Sequence, residues 1–466
     1  MLLAIGGLVV LFWVGIVSGR GGLVGTSLLV LVAGSVFGHA FFNIPGGPVP
    51  ITSDRLLLVV LCAQYVVYRR WGWADPKPLA RTDYLLGAFL LTVLFSTITH
   101  DFRAHRMAPL SQYIFFFLMP AAMYWIARQT EWTERSARWL FGALGVFGIY
   151  LALTAVAENR GAWAFVFPRY IASPQFEEFF GRARGPFLNP AANGIFMGTG
   201  LCAALMFWPS INRQTKLVWL GLVPLFALGV YCTLTRSAWM GFGLALMTVL
   251  ALSLPRVWRP MVLGSAAVAA ALVLIVGWDS LMTFKRDKDL DASLTAESAK
   301  LRPILATVAW HMFLDRPLLG CGYGQYLEEC RPYLSDRSTD LPLEKVRPFV
   351  QHNVLLALLA ETGILGMGLY MALLFAWALN AWRLRNERVG PLWPRQMGLL
   401  FLATLGGYLV NGMFQDVSII PMVNMLLFYI AGATTGLSLT SRVLLSTESI
   451  DPESRRLDHD TLATAR

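Results

Sequence analysis

The sequence predicts an all-α, polytopic membrane protein of about 12–13 transmembrane helices, with a long outer loop that carries an amphipathic helix. Three observations predict it. Of 466 residues, 56% are hydrophobic and 14% charged, where a soluble domain carries about 25% charge. A spanning helix needs roughly 20 mostly apolar residues, so this content fills at most about 13 spans and excludes a soluble enzyme with a single anchor. Basic residues, finally, fall on alternate connecting segments, as in proteins that keep their positive loops inside.

The elements follow in order. Apolar runs near 2–18, 23–42, 54–68, 84–99, 111–127 and 139–157 make an N-terminal block over 1–157. The first run has no basic n-region and no small-residue cleavage site, so it reads as a span rather than a secretory signal. An outer loop, 158–192, is aromatic and basic, with Trp163, Phe165, Tyr170, Phe176 and Phe180 ahead of Arg182 and Arg184. Its rings suit either sugar stacking or rest on the bilayer surface. Runs near 193–208, 217–233, 238–254 and 261–278 form a central block over 193–278.

A second outer loop covers 279–351 and opens on a charged stretch from Lys285 to Asp291. Leu301, Ile304, Leu305, Val308, Met312 and Phe313 then recur at helical spacing, which predicts an amphipathic helix at the membrane interface. Arg302 and His311 lie off that stripe. Pro317, Gly320, Gly322 and Gly324 break the chain into a tight turn. Spans near 355–381, 397–414 and 419–440 complete the block 352–440, and the polar, mixed-charge tail 441–466 reads as cytoplasmic and disordered. The chain shows no internal repeat of the kind many secondary transporters carry.

The net charge of +10 would suggest a nucleic-acid partner in a soluble protein, but here it first sorts by side. With 69–83 taken as cytoplasmic, inner segments collect 20 of the 38 basic residues, and the termini fall N-outside and C-inside. The partners this leaves are membrane lipids and a ligand at the outer face, not nucleic acid. Among those left outside are Arg182, Arg184, Arg236 and Arg302. Arg236 stands between two spans in Leu234-Thr235-Arg236-Ser237-Ala238-Trp239, where a guanidinium on a rigid rim can grip phosphate bidentately. An arginine at a span end can equally snorkel to lipid headgroups.

His352 opens a long helix at the same face. Its ordinary pKa near 6.5 lets it take a proton from an attacking hydroxyl, while a lone histidine is also often structural. Glu361 lies two and a half turns on, about 13 Å along the helix, too deep to share that work directly. A carboxylate inside a span is a functional hint, or it bonds a neighbouring helix. The other histidines and the five cysteines lack metal-ligand spacing, so no cofactor or metal is expected. Cys321 and Cys330 share the outer loop, where they form either a disulfide or two thiols.

Four segments together resemble the superfamily of O-antigen ligases and Wzy-type polymerases. They are Arg182-Ala183-Arg184-Gly185-Pro186-Phe187-Leu188-Asn189-Pro190, Thr235-Arg236-Ser237-Ala238-Trp239, Arg302 with Asp315-Arg316-Pro317 through Gly324, and His352-Asn353 through Glu361-Thr362-Gly363. They fall in family order over roughly 180–370. Where the family carries Asn-Pro-Asn, this chain has Asn189-Pro190-Ala191, with Asn193 as the next asparagine. The resemblance implies a metal-independent glycosyltransferase of the bacterial inner membrane whose site opens to the periplasm. Its donor would be an undecaprenyl-diphosphate-linked glycan, and its acceptor a hydroxyl of lipid A core, of another glycan or of a protein. Arg182 or Arg184, Arg236 and Arg302 would hold the diphosphate. His352 and Arg236 would be catalytic, with Asn189, Asn353 and Glu361 in support. A transporter of a small solute or anion is the reading from another class. It would gather its ionisable groups near the midplane rather than at one face.

Overall fold

The computed structural model describes residues 2–44, 50–101, 108–176, 178–276, 292–336, 339–347, 349–387 and 390–450. It is an all-α membrane protein, about 76% helical, in which one two-residue hairpin pairs Asn43–Ile44 with Ile51–Thr52. The long helices in chain order are α1 (Leu2–Val36), α2 (Ser53–Arg70), α3 (Arg81–Ile98), α4 (Pro109–Gln129, with a π turn at Ile114–Leu118), α5 (Glu134–Arg160), α6 (Pro190–Leu205) and α7 (Arg213–Cys232). There follow α8 (Arg236–Ser253), α9 (Arg259–Val276), α10 (Ala292–Asp315), α11 (Val354–Asn386), α12 (Leu392–Gly412) and α13 (Pro421–Ile450). Among the described residues, nine helices are long and apolar enough to cross a membrane. The expected runs at 54–68, 261–278 and 397–414 fall on α2, α9 and α12, of 18, 18 and 21 residues.

Two helices carry an internal glycine break. In α1 it lies at Gly22 (φ 56°, ψ −148°), between the two runs expected at 2–18 and 23–42. The chain folds back there, since a Cβ at Gly25 would sit 2.8 Å from the Val17 carbonyl oxygen. Gln64 of α2 supplies a donor, its Nε2 lying 3.0 Å from the Ser18 carbonyl that the break frees.

The second break changes the expected long helix after His352. At Gly363 (φ 64°, ψ −166°) α11 divides into a half-helix, 354–362, and a spanning part. An interrupted helix exposes backbone groups, which is tolerated at membrane depth only where protein satisfies them. Here the Pro317–Gly324 turn does so. Cys321 N donates to Ala360 O (2.9 Å), Gly322 N to Glu361 O (3.0 Å), Ile364 N to Pro317 O (2.8 Å) and Leu365 N to Leu318 O (3.3 Å). The fit needs glycine on both sides: a Cβ at Gly320 would strike the Glu361 and Thr362 backbone, and one at Gly363 the Leu318 carbonyl. From α3, Ser96 Oγ accepts Tyr323 N at 2.9 Å, so the turn is clamped from two sides.

The amphipathic stripe is present on α10, with Ile304, Leu305, Val308 and Met312 buried. It closes a small core of its own with Tyr326, Leu334, Leu343 and Val346, joined to α11 through Ala360. The main core fills the bundle, where Trp377 packs between Tyr124 (5.3 Å) and Phe428 (4.9 Å). The charged stretch Lys285 to Asp291 lies outside the described residues. Of the tail, α13 continues to Ile450, and 451–466 lie outside them.

Gly320→Ala and Gly363→Ala should each destabilise the protein by about 1–3 kcal/mol, from backbone strain at positive φ with the added clash. Gly221→Ala, a position with open space around it, should not. Thermal unfolding of the detergent-solubilised variants measures the difference.

Candidate functional site

Three helices begin at one end of the bundle. Asn189 caps α6, its Oδ1 accepting Ala191 N (3.0 Å) and Ala192 N (3.1 Å). Asn353 caps α11 in the same way through Leu355 N (2.9 Å) and Leu356 N (3.0 Å). These are helix-capping asparagines, each satisfying amides that the first turn leaves free. Arg236 is the first residue of α8. The three ends are drawn together by small-residue contacts. Gly194 of α6 approaches Ala238 of α8, with 2.6 Å left for a Cβ, and Gly241 of α8 lies against Gly407 and Asn411 of α12. The C-terminal end of α12 meets α11 where Asn353 Nδ2 donates to Met413 O (3.1 Å). N-terminal helix ends carry partial positive charge and favour anions.

The corner before Arg236 is rigid. Leu234 turns in the left-handed region (φ 49°), Thr235 Oγ1 donates to Thr233 O (2.9 Å), and Trp239 Nε1 donates back to Val230 O (3.0 Å). The loop bearing Arg182 is tied to the same corner by Ala183 N donating to Cys232 O (3.0 Å). Arg182 itself lies 5.4 Å over the Phe179 ring.

Arg302 reaches in from α10, 5.2 Å over the Phe414 ring, and near enough to Arg236 to feel its charge. Burial, and then Arg236, pull its pKa down from the usual arginine value, though a guanidinium stays charged regardless. His352, half-buried beside it, has its pKa lowered by burial first and by the Arg302 charge second. A histidine so placed is neutral at physiological pH and able to accept a proton. Gln351 braces that segment, its Nε2 donating to Leu305 O (2.7 Å) and to Tyr326 Oη (2.8 Å).

The two arginines of the first motif have opposite environments. Arg184 is 1% exposed. Its Nη1 donates to Glu178 O (2.8 Å) and Phe176 O, and its Nη2 to Ile171 O (3.0 Å) and Ser173 O (3.3 Å). Below it, Glu158 accepts the backbone amides of Arg184 (3.2 Å) and Gly185 (3.0 Å). A guanidinium so engaged organises its own loop and has little left for a diphosphate. Asn193 serves the same loop, its Nδ2 donating to Ala183 O (3.1 Å).

Glu361 is also turned to structure, its Oε1 accepting Tyr326 N (3.3 Å) across the glycine turn. Cys321 and Cys330 are separate buried thiols in the small core. Cys321 Sγ lies 3.8 Å from Gly322 O and Cys330 Sγ 3.5 Å from Leu327 O, so the bridge held open by the sequence is not formed. Three carboxylates of the segment 315–347 are paired: Glu329 with Arg316 (2.9 Å), Glu328 with Arg331 (2.7 Å) and Asp336 with His311 (3.3 Å). Among the described residues no His, Cys, Asp or Glu cluster has the makings of a metal site. Sequence reasoning missed Asp416, a buried carboxyl in the turn after α12 whose pKa burial pushes up to about 6. It lies two residues after Phe414 in the turn between α12 and α13, and no pattern in the sequence marks it.

Residues 217–371 match the O-antigen ligase family model. A 230-residue stretch is 28% identical to an O-antigen ligase of Salmonella typhimurium, covering 47% of this chain and 53% of that protein. Residues 217–371 are thus similar to an O-antigen ligase domain. By its helices the chain is a multi-pass membrane protein, and it spans about half the length of that relative. Arg236, Arg302, His352, Asn353 and Glu361 fall inside the matched stretch, whereas Arg182, Arg184 and Asn189 precede it.

The split between Arg182 and Arg184 is open to test. Arg184→Ala strands several buried carbonyls and should cost at least about 2 kcal/mol, read as a lower melting temperature and poorer yield. Arg182→Ala should leave both near the wild-type values.

Proposed function

We propose that the protein transfers a glycan from an undecaprenyl-diphosphate carrier to an acceptor hydroxyl of lipid A core, at the periplasmic face of the inner membrane. The observation that carries this reading is the meeting of Arg236, Arg302 and a neutral His352 where three helices begin, with Arg182 on the adjoining loop. The excess of basic residues on alternate segments supports the sidedness, and the ligase relative supports the acceptor.

In this reaction the acceptor oxygen attacks the anomeric carbon as the bond from that carbon to the diphosphate oxygen breaks. His352 takes the acceptor proton, so the nucleophile gains charge as it bonds. Arg182, Arg236 and Arg302 hold the departing diphosphate and stabilise the negative charge it acquires, which is electrostatic catalysis by preorganised donors. The half-helix 354–362 fixes His352 at its start, and α10 brings Arg302 to it from the other side. The aromatic loop 163–180 flanks the site.

In a transfer assay with purified protein, His352→Ala should lower kcat by about 10²–10⁴-fold and Arg236→Ala by about 10²–10³-fold, with normal membrane insertion. Wild-type kcat/KM should fall on the acid side with a midpoint below pH 6.5, because only neutral His352 accepts the proton. Arg302→Gln removes a charge that opposes protonation of His352, so the same limb should move upward. Near-normal transfer by both alanine variants would refute the mechanism. In cells lacking the gene, accumulated carrier-linked polymer with bare core identifies a ligase, whereas single repeat units capped on core identify a polymerase.

A further inference from the structure

At the opposite end of the bundle the helices leave a cavity of about 620 Å³. α6 and α8 end there, 16 and 18 residues from their starts, which places it roughly 25 Å from the arginine and histidine site. Its walls are apolar, among them Leu205, Val223, Leu246, Val249, Leu250 and Leu399, while Arg385 and Arg395 line its mouth. Arg259 joins them, since it and Arg395 lie near enough to Arg385 for their charges to act on it.

The three guanidiniums are pinned from behind. Arg385 Nη2 donates to Leu252 O and Arg259 Nε to Leu254 O (2.9 Å), both carbonyls at the end of α8. Arg395 Nη2 donates to Gly390 O (3.3 Å). A fourth cation, Lys216, stands at the rim, its Nζ 5.4 Å over the Trp208 ring. Among the described residues neither Arg259 nor Arg385 makes an ion pair. Capping a helix C-terminus accounts for one donor of each of these two. It accounts neither for the third arginine, which repels them, nor for an apolar cavity beneath.

A slot of acyl-chain character under clustered guanidiniums, each a multiple N–H donor, is complementary to an amphiphile with an anionic phosphate head. Basic pockets between transmembrane helices bind such headgroups. The geometry points to a specific site for an anionic phospholipid of the surrounding leaflet, its phosphate held by Arg259, Arg385 and Arg395 and one acyl chain lying along Leu246 and Leu250. The site is separate from the proposed transfer chemistry and stands or falls without it.

The test compares full-length wild-type protein with Arg385→Gln/Arg395→Gln and with Leu250→Trp, which fills the slot and leaves the arginines in place. Arg138→Gln serves as a control, since Arg138 is an exposed cation already paired with Glu134 (2.9 Å). Phospholipid retained through detergent purification is quantified by native mass spectrometry. Thermal stabilisation is then measured on adding phosphatidylglycerol, phosphatidylcholine or inorganic phosphate. Wild type and Arg138→Gln should retain phosphatidylglycerol and be stabilised by it alone. The arginine double variant and Leu250→Trp should each bind it at least about tenfold more weakly. Equal retention by wild type and both site variants would overturn the proposal, as would equal loss in Arg138→Gln. Stabilisation by inorganic phosphate matching that by phosphatidylglycerol would assign the arginines to a free anion and overturn the lipid assignment.

Discussion

At Gly363 the backbone of α11 leaves the helical path, and the rest of the site depends on how the freed groups are satisfied. Four hydrogen bonds from the Pro317–Gly324 turn close the gap. Each would otherwise leave an amide or carbonyl unpaired at a depth where water is scarce and the cost is several kcal/mol. The turn therefore docks as firmly as a piece of the bundle. Through it α10 and its small core are attached, so that Arg302 and His352, 50 positions apart in sequence, come to the same place.

The same constraint gives the carboxylate in α11 a structural partner. Glu361 faces the turn and holds Tyr326 N, fixing the segment that Gln351 then grips from the other side. Gln351, Tyr326 and Glu361 form a frame behind His352. The arginines are positioned differently, Arg236 by the rigid corner between α7 and α8 and Arg182 by the loop that Arg184 and Glu158 organise from within. Cations gathered near helix N-termini raise the local positive potential from two sources at once. The same potential, together with burial, keeps His352 neutral.

Much of this was legible in the sequence, for definite reasons. Long apolar runs mark helices because their length is set by the bilayer, and the stripe on α10 is visible because a helix repeats every 3.6 residues. The break at Gly363 was not, because a glycine inside an apolar run costs a helix only about 1 kcal/mol and reads as an uninterrupted span. Its partner, the turn at 317–324, is visible as a turn but not as the answer to that break. Arg182 and Arg184 are two residues apart with identical chemistry, and only the carbonyls of Ile171, Ser173 and Glu178 around one of them tell them apart. Phe414 escaped notice because it meets Arg302 through folding rather than through any pattern. Pairing among the carboxylates Glu328, Glu329 and Asp336 and the state of the two cysteines were likewise matters of three-dimensional placement.

In the proposed reaction, arginines from three separate segments form one diphosphate site under a neutral histidine. Direct binding of a short-chain polyprenyl diphosphate, without any acceptor, measures that site apart from catalysis. The diphosphate should bind more tightly than the monophosphate, Arg182→Ala, Arg236→Ala and Arg302→Ala should each weaken it about tenfold, and His352→Ala should leave it unchanged. Binding indifferent to all three arginines would contradict the proposed site.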